Sequence, residues 1–89
     1  MRAEIIYTKN ARQNLLSLDK QTARKIALKI KFFGEQTNPL KYAKKLNPPF
    51  HDLYRFRIGK HRAIFEIGKK GRLVLLVILK IDLQKDIYD

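Results

Sequence analysis

Apolar and polar positions change rhythm along the chain, and each change marks an element. Residues 3 to 7 carry Ile5, Ile6 and Tyr7, the branched and aromatic types of a short strand. Thr8 offers a hydroxyl to cap the helix that follows. Within that helix Ala11, Leu15 and Leu18 stand at i, i+4 and i+7 and form one apolar stripe. Asp19 caps a second helix, whose stripe is Ala23, Ile26, Ala27, Ile30 and Phe33. Arg24, Lys25, Lys29 and Lys31 fall outside the stripe. Gly34 marks the stop, with Asn38-Pro39 beyond it. The two helices make a hairpin with a very short turn.

Residues 35–52 hold Pro39, Pro48 and Pro49 and predict a connector without regular structure. A period of two then takes over. Residues 53–58 form one strand, and Gly59-Lys60 is a two-residue turn with glycine first, as a type II′ hairpin wants. Residues 61–67 are the second strand, Gly68-Lys69-Lys70-Gly71 the next turn, and 72–81 an apolar run expected to be an internal strand buried on both faces. Residues 82–89 are a short tail. The order predicts one α+β domain across residues 1–89: an N-terminal strand, a helical hairpin, then a three-stranded antiparallel meander.

The Gly59-Lys60 turn sets a register. Ile58 faces His61, Arg57 faces Arg62, Phe56 faces Ala63 and Arg55 faces Ile64. Alternation puts Tyr54, Phe56, Ile58, Ala63, Phe65 and Ile67 on a face that packs against the helices, with His61 at its turn end. Arg55, Arg57 and Arg62 go to the other face with Leu53, Ile64 and Glu66. Two arginines directly opposite destabilise a sheet unless water or an anion screens them. Their guanidinium forks suit phosphate oxygens.

Charge enlarges that patch. Twenty Lys and Arg against eight Asp and Glu give a formal +12. Such a field attracts polyanions, nucleic acid first among them. Residues 41–72 hold Lys41, Lys44, Lys45, Lys60, Lys69, Lys70 and Arg72 besides the three arginines, offset by Asp52 and Glu66 alone. There is no cysteine, so disulfides and thiolate chemistry are excluded. His51 and His61 lack acidic or sulfur neighbours at metal spacing, so no metal is expected. No cofactor motif occurs, since the glycines mark turns and no phosphate loop. Ser17 is the lone serine, at a helix end, which speaks against a serine nucleophile. His61 carries an imidazole, the side chain most often used for general acid–base work, and is a candidate for proton transfer. The apolar run at 73–79 is far shorter than the ~20 residues of a membrane helix. With Met1-Arg2-Ala3-Glu4 leading into no long apolar stretch, the expectation is a cytoplasmic protein with no membrane partner.

The block Tyr54-Arg55-Phe56-Arg57-Ile58-Gly59-Lys60-His61-Arg62-Ala63-Ile64-Phe65 resembles the central hairpin of RelE/ParE-superfamily toxins of type II toxin–antitoxin systems. Its pattern Tyr-Arg-x-Arg-x-Gly-x-x-Arg-x-x-Phe is the specific part. Lys44-Lys45-Leu46 resembles the basic pair and leucine that precede that hairpin, and the element order matches over nearly the whole chain. The resemblance implies a toxin held by a cognate antitoxin protein. It also implies one of two actions: RelE-like cleavage of mRNA on the ribosome, or ParE-like poisoning of DNA gyrase. A third outcome is a toxin fold that binds without cutting. In the RelE-like case, which the sequence favours, a ribose 2′-OH attacks the adjacent phosphate. That chemistry requires a base, cations on the phosphate and a proton donor. By motif position Arg55, Arg57 and Arg62 match the phosphate-binding basic residues, and Tyr88 matches a base-stacking tyrosine. Lys44, Lys45, Lys60 and His61 join them as RNA-binding candidates. Guanidinium hardly deprotonates, so proton transfer falls to Lys85 or His61, with Lys80 a further candidate. Leu83 and Gln84 stand where relatives carry basic residues, and Asp82 and Asp86 would repel a phosphate.

Overall fold

A computed structural model describes residues 3–50 and 52–84. The chain lays down β1 (Ala3–Tyr7), α1 (Lys9–Leu16), α2 (Lys20–Gly34), a 3₁₀ turn (Pro39–Tyr42), β2 (Ala43–Lys45), β3 (Tyr54–Ile58), β4 (His61–Lys70) and β5 (Leu73–Leu83). The strands build one five-stranded sheet in the order β1-β5-β4-β3-β2. β1 runs parallel to β5, and the other pairs are antiparallel. Both helices cover one face of this sheet, giving the expected two-layer α+β architecture.

The helix starts follow local chemistry. Thr8 Oγ1 accepts from the Ala11 amide at 3.1 Å. The Asp19 carboxylate accepts from the Thr22 amide at 3.0 Å and from the Thr22 hydroxyl at 2.6 Å. Those two bonds hold the Asp19 carboxyl below its usual range. α2 buries Ile26, Ile30 and Phe33, the stripe read from its spacing. Gly34 is the last residue of α2 and not a left-handed cap; its reason to be glycine is space, since a Cβ there would come within 2.7 Å of Ile5 Cδ1, so the helix end and β1 touch closely.

Between the layers the core joins Ala11, Ile26, Ile30 and Phe33 of the helices to Phe56, Ile58, Ala63, Phe65, Leu76, Ile78 and Ile81 of the sheet. Its centre is aromatic. Phe33 lies 4.7 Å from Phe56, Phe56 stacks on Phe65 at 4.3 Å, and Tyr54 stacks on Phe65 at 5.7 Å. Offset stacking of this kind adds to simple area burial.

Four expectations need correction. The connector is not wholly irregular, because Ala43–Lys45 pairs with β3 and adds an edge strand, so the sheet has five strands. Three residues are too few to display a period. The second turn is shorter than the 68–71 segment: β4 continues through Gly68 to Lys70, which pairs with Leu73. Left-handed backbone occurs among the described residues only at Gly59 (φ 60°) and Gly71 (φ 63°), one at each hairpin turn. β5 extends to Leu83, so Asp82 belongs to a strand and not to the tail. Nor is β5 buried on both faces. Leu76, Ile78 and Ile81 are core, whereas Leu75, Val77 and Leu79 are half-buried.

One irregularity positions the site. Ile64 pairs with Lys80 but Phe65 pairs with Ile78, which leaves Leu79 as an extra residue in β5. This is a β-bulge, and it shifts the strand's alternation by one. Ile78 and Ile81 therefore both face the core, and Lys80 and Asp82 are turned to the open face. The bulge is held from the helix side. The Leu79 carbonyl accepts from Thr8 Oγ1 at 3.2 Å and from Asn10 Nδ2 at 3.0 Å. The Ile81 amide donates to Asn14 Oδ1 at 2.9 Å.

Candidate nucleic-acid interface

The predicted hairpin register holds at every pair: Ile58 with His61, Arg57 with Arg62, Phe56 with Ala63, Arg55 with Ile64. Strand pairing extends each row across the sheet, since directly opposed residues share a face. One open-face row reads Lys44, Arg55, Ile64, Lys80. The next reads Arg57, Arg62, Asp82. Lys44 opposite Arg55 is thus a second like-charge pair beside Arg57 opposite Arg62.

These cations line a cleft. Lys44, Lys45, Arg55 and Arg62 surround a cavity of about 330 Å³ with Leu46, Asn47, Pro48, Phe50, Leu53 and Ile64. Arg55 is nearly buried, 8% exposed, although it is charged. β2 and the loop after it contribute Lys44, Lys45, Leu46, Asn47, Pro48, Phe50 and Leu53 to the lining, and β3 and β4 contribute Arg55, Arg62 and Ile64. The loop is tied at its base by the Leu46 amide donating to the Leu53 carbonyl at 2.9 Å.

The anion expected to screen the arginines comes from the chain itself. Arg62 Nε donates to Asp82 Oδ1 at 2.7 Å and Nη2 to Oδ2 at 3.3 Å, a two-pronged contact. Lys80 Nζ lies 3.3 Å from the same carboxylate. Burial raises the Asp82 carboxyl, but hydrogen bonds and charge from Arg62 and Lys80 outweigh it and hold the group below its ordinary value. Arg57 is tethered too: with the amide oriented to satisfy both groups, Gln84 oxygen accepts from its Nε at 3.0 Å and Nη1 at 3.2 Å. Arg57 and Arg62, facing each other, are each answered by a residue at or just beyond the end of β5, Gln84 and Asp82.

Of the predicted site residues, Lys44, Lys45, Arg55 and Arg62 meet at the cleft, and Arg57 lies one pair further toward the hairpin turn. Lys60 sits in that turn. His61 pairs with Ile58 and so takes the helix-covered side, away from the arginines. Lys85 and Tyr88 lie outside the described residues. Asp82 and Gln84 were not recognised from sequence as arginine partners, because their placement depends on the bulge. The apolar wall of Leu46, Pro48, Phe50 and Leu53 was also missed, for the proline-rich loop has no period to read. Among the described residues no group of three or more histidine, cysteine or carboxylate side chains is placed to hold a metal. None of the described helices is long and apolar enough to cross a membrane.

Comparison with known proteins bears on this arrangement. A family model described as the ParE toxin of the type II toxin–antitoxin system parDE matches residues 5–88. The chain belongs to the ParE toxin family. The fold agrees with solved toxins of the wider RelE/ParE superfamily. The toxin–antitoxin complex RelBE2 from Mycobacterium tuberculosis superposes with a TM-score of 0.77 at 21% identity, covering 94% of this chain and 100% of that one. The YoeB/ParE toxin from Agrobacterium tumefaciens gives 0.65 at 13% identity over 92% and 99% of the two chains. The RelB–RelE complex from Methanococcus jannaschii gives 0.60 at 24% identity over 94% and 95%. No curated protein matches the sequence. Membership of the ParE toxin family bears out the hairpin resemblance and makes this chain the toxin type of a toxin–antitoxin pair.

Proposed function

We propose that this toxin arrests growth by cutting mRNA on the ribosome, with the cleft between β2, β3 and β4 holding the RNA backbone. The observation that carries the reading is the convergence of Lys44, Lys45, Arg55 and Arg62 on one walled cavity. Cations fixed around a concave site concentrate their field on a bound phosphate and stabilise the charge that builds as the 2′-oxygen attacks. Arg62 is the best placed of them. Its fork already grips a carboxylate, and a phosphate presents the same pair of oxygens in place of Asp82. Proton transfer is assigned to Lys85, beside the positions where relatives carry basic residues, and base stacking to Tyr88, by its position in the family motif. Arg55 and Arg57 act on charge alone. The cytoplasm is where such a target lies. A cognate antitoxin partner is supported by the two solved relatives that are toxin–antitoxin complexes.

A second reading is favoured by the family model itself, which is that of ParE. In it the same basic face binds DNA gyrase or its DNA and no bond is cut. Primer extension on cellular mRNA after induced expression separates the two, with Arg62→Ala beside the parent chain. Translation-dependent cuts that vanish in the variant support the ribonuclease. Arrested growth with intact mRNA and blocked supercoiling moves the assignment to gyrase. Normal growth with intact mRNA makes the chain a binder without activity.

A further inference from the structure

The cationic cleft has an apolar half that phosphate binding leaves unused. Phe50 is 58% exposed, yet it is held in place. Its amide donates to the Asn47 carbonyl and its carbonyl accepts from the Leu53 amide, both at 2.9 Å. With Leu46 bonded to Leu53, the loop is closed at its base, which fixes the Phe50 main chain beside the cavity that its side chain lines. Leu46, Pro48, Leu53 and Ile64 add apolar lining to the cavity of about 330 Å³ that Lys44, Lys45, Arg55 and Arg62 also line. That volume is at the low end of the ~300–1,000 Å³ usual for small-ligand sites.

We infer that this cleft is a nucleotide subsite: a base of single-stranded nucleic acid lies against Phe50 while its phosphate meets the cations. The inference rests on the nucleic-acid reading proposed above and adds to it the face that reads the base. Two features favour this occupant. A nucleotide joins a flat, weakly polar ring to an anion at the distance its sugar sets, and the cleft offers an aromatic wall and a cationic rim in one cavity. An apolar side chain from a protein partner would fill the wall but leave the rim unmatched. An inorganic anion would do the reverse. Aromatic stacking accepts any base, because every base has a π face. The subsite therefore anchors the strand without demanding a sequence.

The test measures binding of two labelled probes to the full chain: hexauridylate, and inorganic polyphosphate of similar charge, which has no bases. Phe50→Ala is expected to weaken hexauridylate about fivefold to a hundredfold and to leave polyphosphate unchanged, with Phe50→Tyr restoring RNA affinity. Arg62→Ala is expected to weaken both probes. Thermal melting checks that each variant is folded. RNA affinity unmoved by Phe50→Ala, with Arg62→Ala still weakening it, overturns the base subsite and leaves the nucleic-acid reading standing. That outcome makes the wall a seat for a protein side chain. Equal loss of both probes in Phe50→Ala also overturns the subsite, because Phe50 then only shapes the loop. No preference of the parent chain for hexauridylate over polyphosphate overturns the subsite. No binding to either probe overturns the nucleic-acid reading with it.

Discussion

The two faces of the β3–β4 hairpin come from the same few residues and obey different constraints. On the helix side Phe56, Ala63 and Phe65 are wholly buried and Ile58 nearly so. Their neighbours are chemically alike, and any well-shaped apolar partner would serve. On the open side Arg57 and Arg62 oppose each other, and what makes them tolerable lies at the end of another strand, in Asp82 and Gln84. The core side is therefore specified by type. The open side is specified by individual pairs, each with one correct answer.

The sharpest way to break the contrast is to damage one face and watch the other. Phe65→Ala removes a fully buried ring stacked on both sides, and is expected to cost about 3–5 kcal/mol. A domain of this size has roughly 5–15 kcal/mol to lose, so urea titration should show a much earlier midpoint and toxicity should fall only through unfolding. Arg62→Ala should do the opposite. Toxicity is expected to vanish while stability changes by less than about 1 kcal/mol, the range for partly exposed ion pairs. If that variant unfolds, the open face is structural and the contrast fails.

Asp82→Asn is a smaller change and tests the internal counter-ion. It removes a negative charge that Arg62 and Lys80 both contact, so affinity for single-stranded RNA should rise several-fold and the salt dependence of binding should steepen. The same carboxyl carries a pH signature. Its folded pKa is depressed, so it adds stability above the ordinary carboxylate value of about 3.9 and loses it as pH falls through the lower folded value. The melting temperatures of the parent and Asp82→Asn should thus differ by a constant amount near neutrality. They should converge on acidification below about pH 4. Smallest is Thr8→Ala, which removes a helix cap worth about 1 kcal/mol together with one of the bonds on the Leu79 carbonyl. Circular dichroism melts should register it, with little change in RNA binding.

Much of this was legible in the sequence, and the reason differs by element. Both helix caps, the α2 stripe and the hairpin register follow from neighbours within a few residues, so spacing alone placed Thr8, Asp19, Ile26 and the Arg57–Arg62 pair. The family motif lies in that hairpin, which is why the toxin fold could be anticipated from it. β2 escaped because it is held by β3 and not by any pattern of its own. Gly68 misled because a glycine in a strand and a glycine in a turn look alike without φ. Arg62's partner escaped for a stricter reason: alternation counted from Leu76 puts Lys80 toward the core and Asp82 after it, and only the extra residue at Leu79 reverses this.

That extra residue bears on how the toxin can change by descent. Leu79 contributes its carbonyl to Thr8 and Asn10, so many side chains could replace it with little loss. Deleting it would join Ile78 directly to Lys80 and leave an ordinary alternation, with Lys80 and Asp82 still on the open face and Ile81 still in the core. A lineage can therefore rewrite the letter here or drop the residue outright, and relatives sharing this arginine pairing should differ by one residue across the segment without losing it.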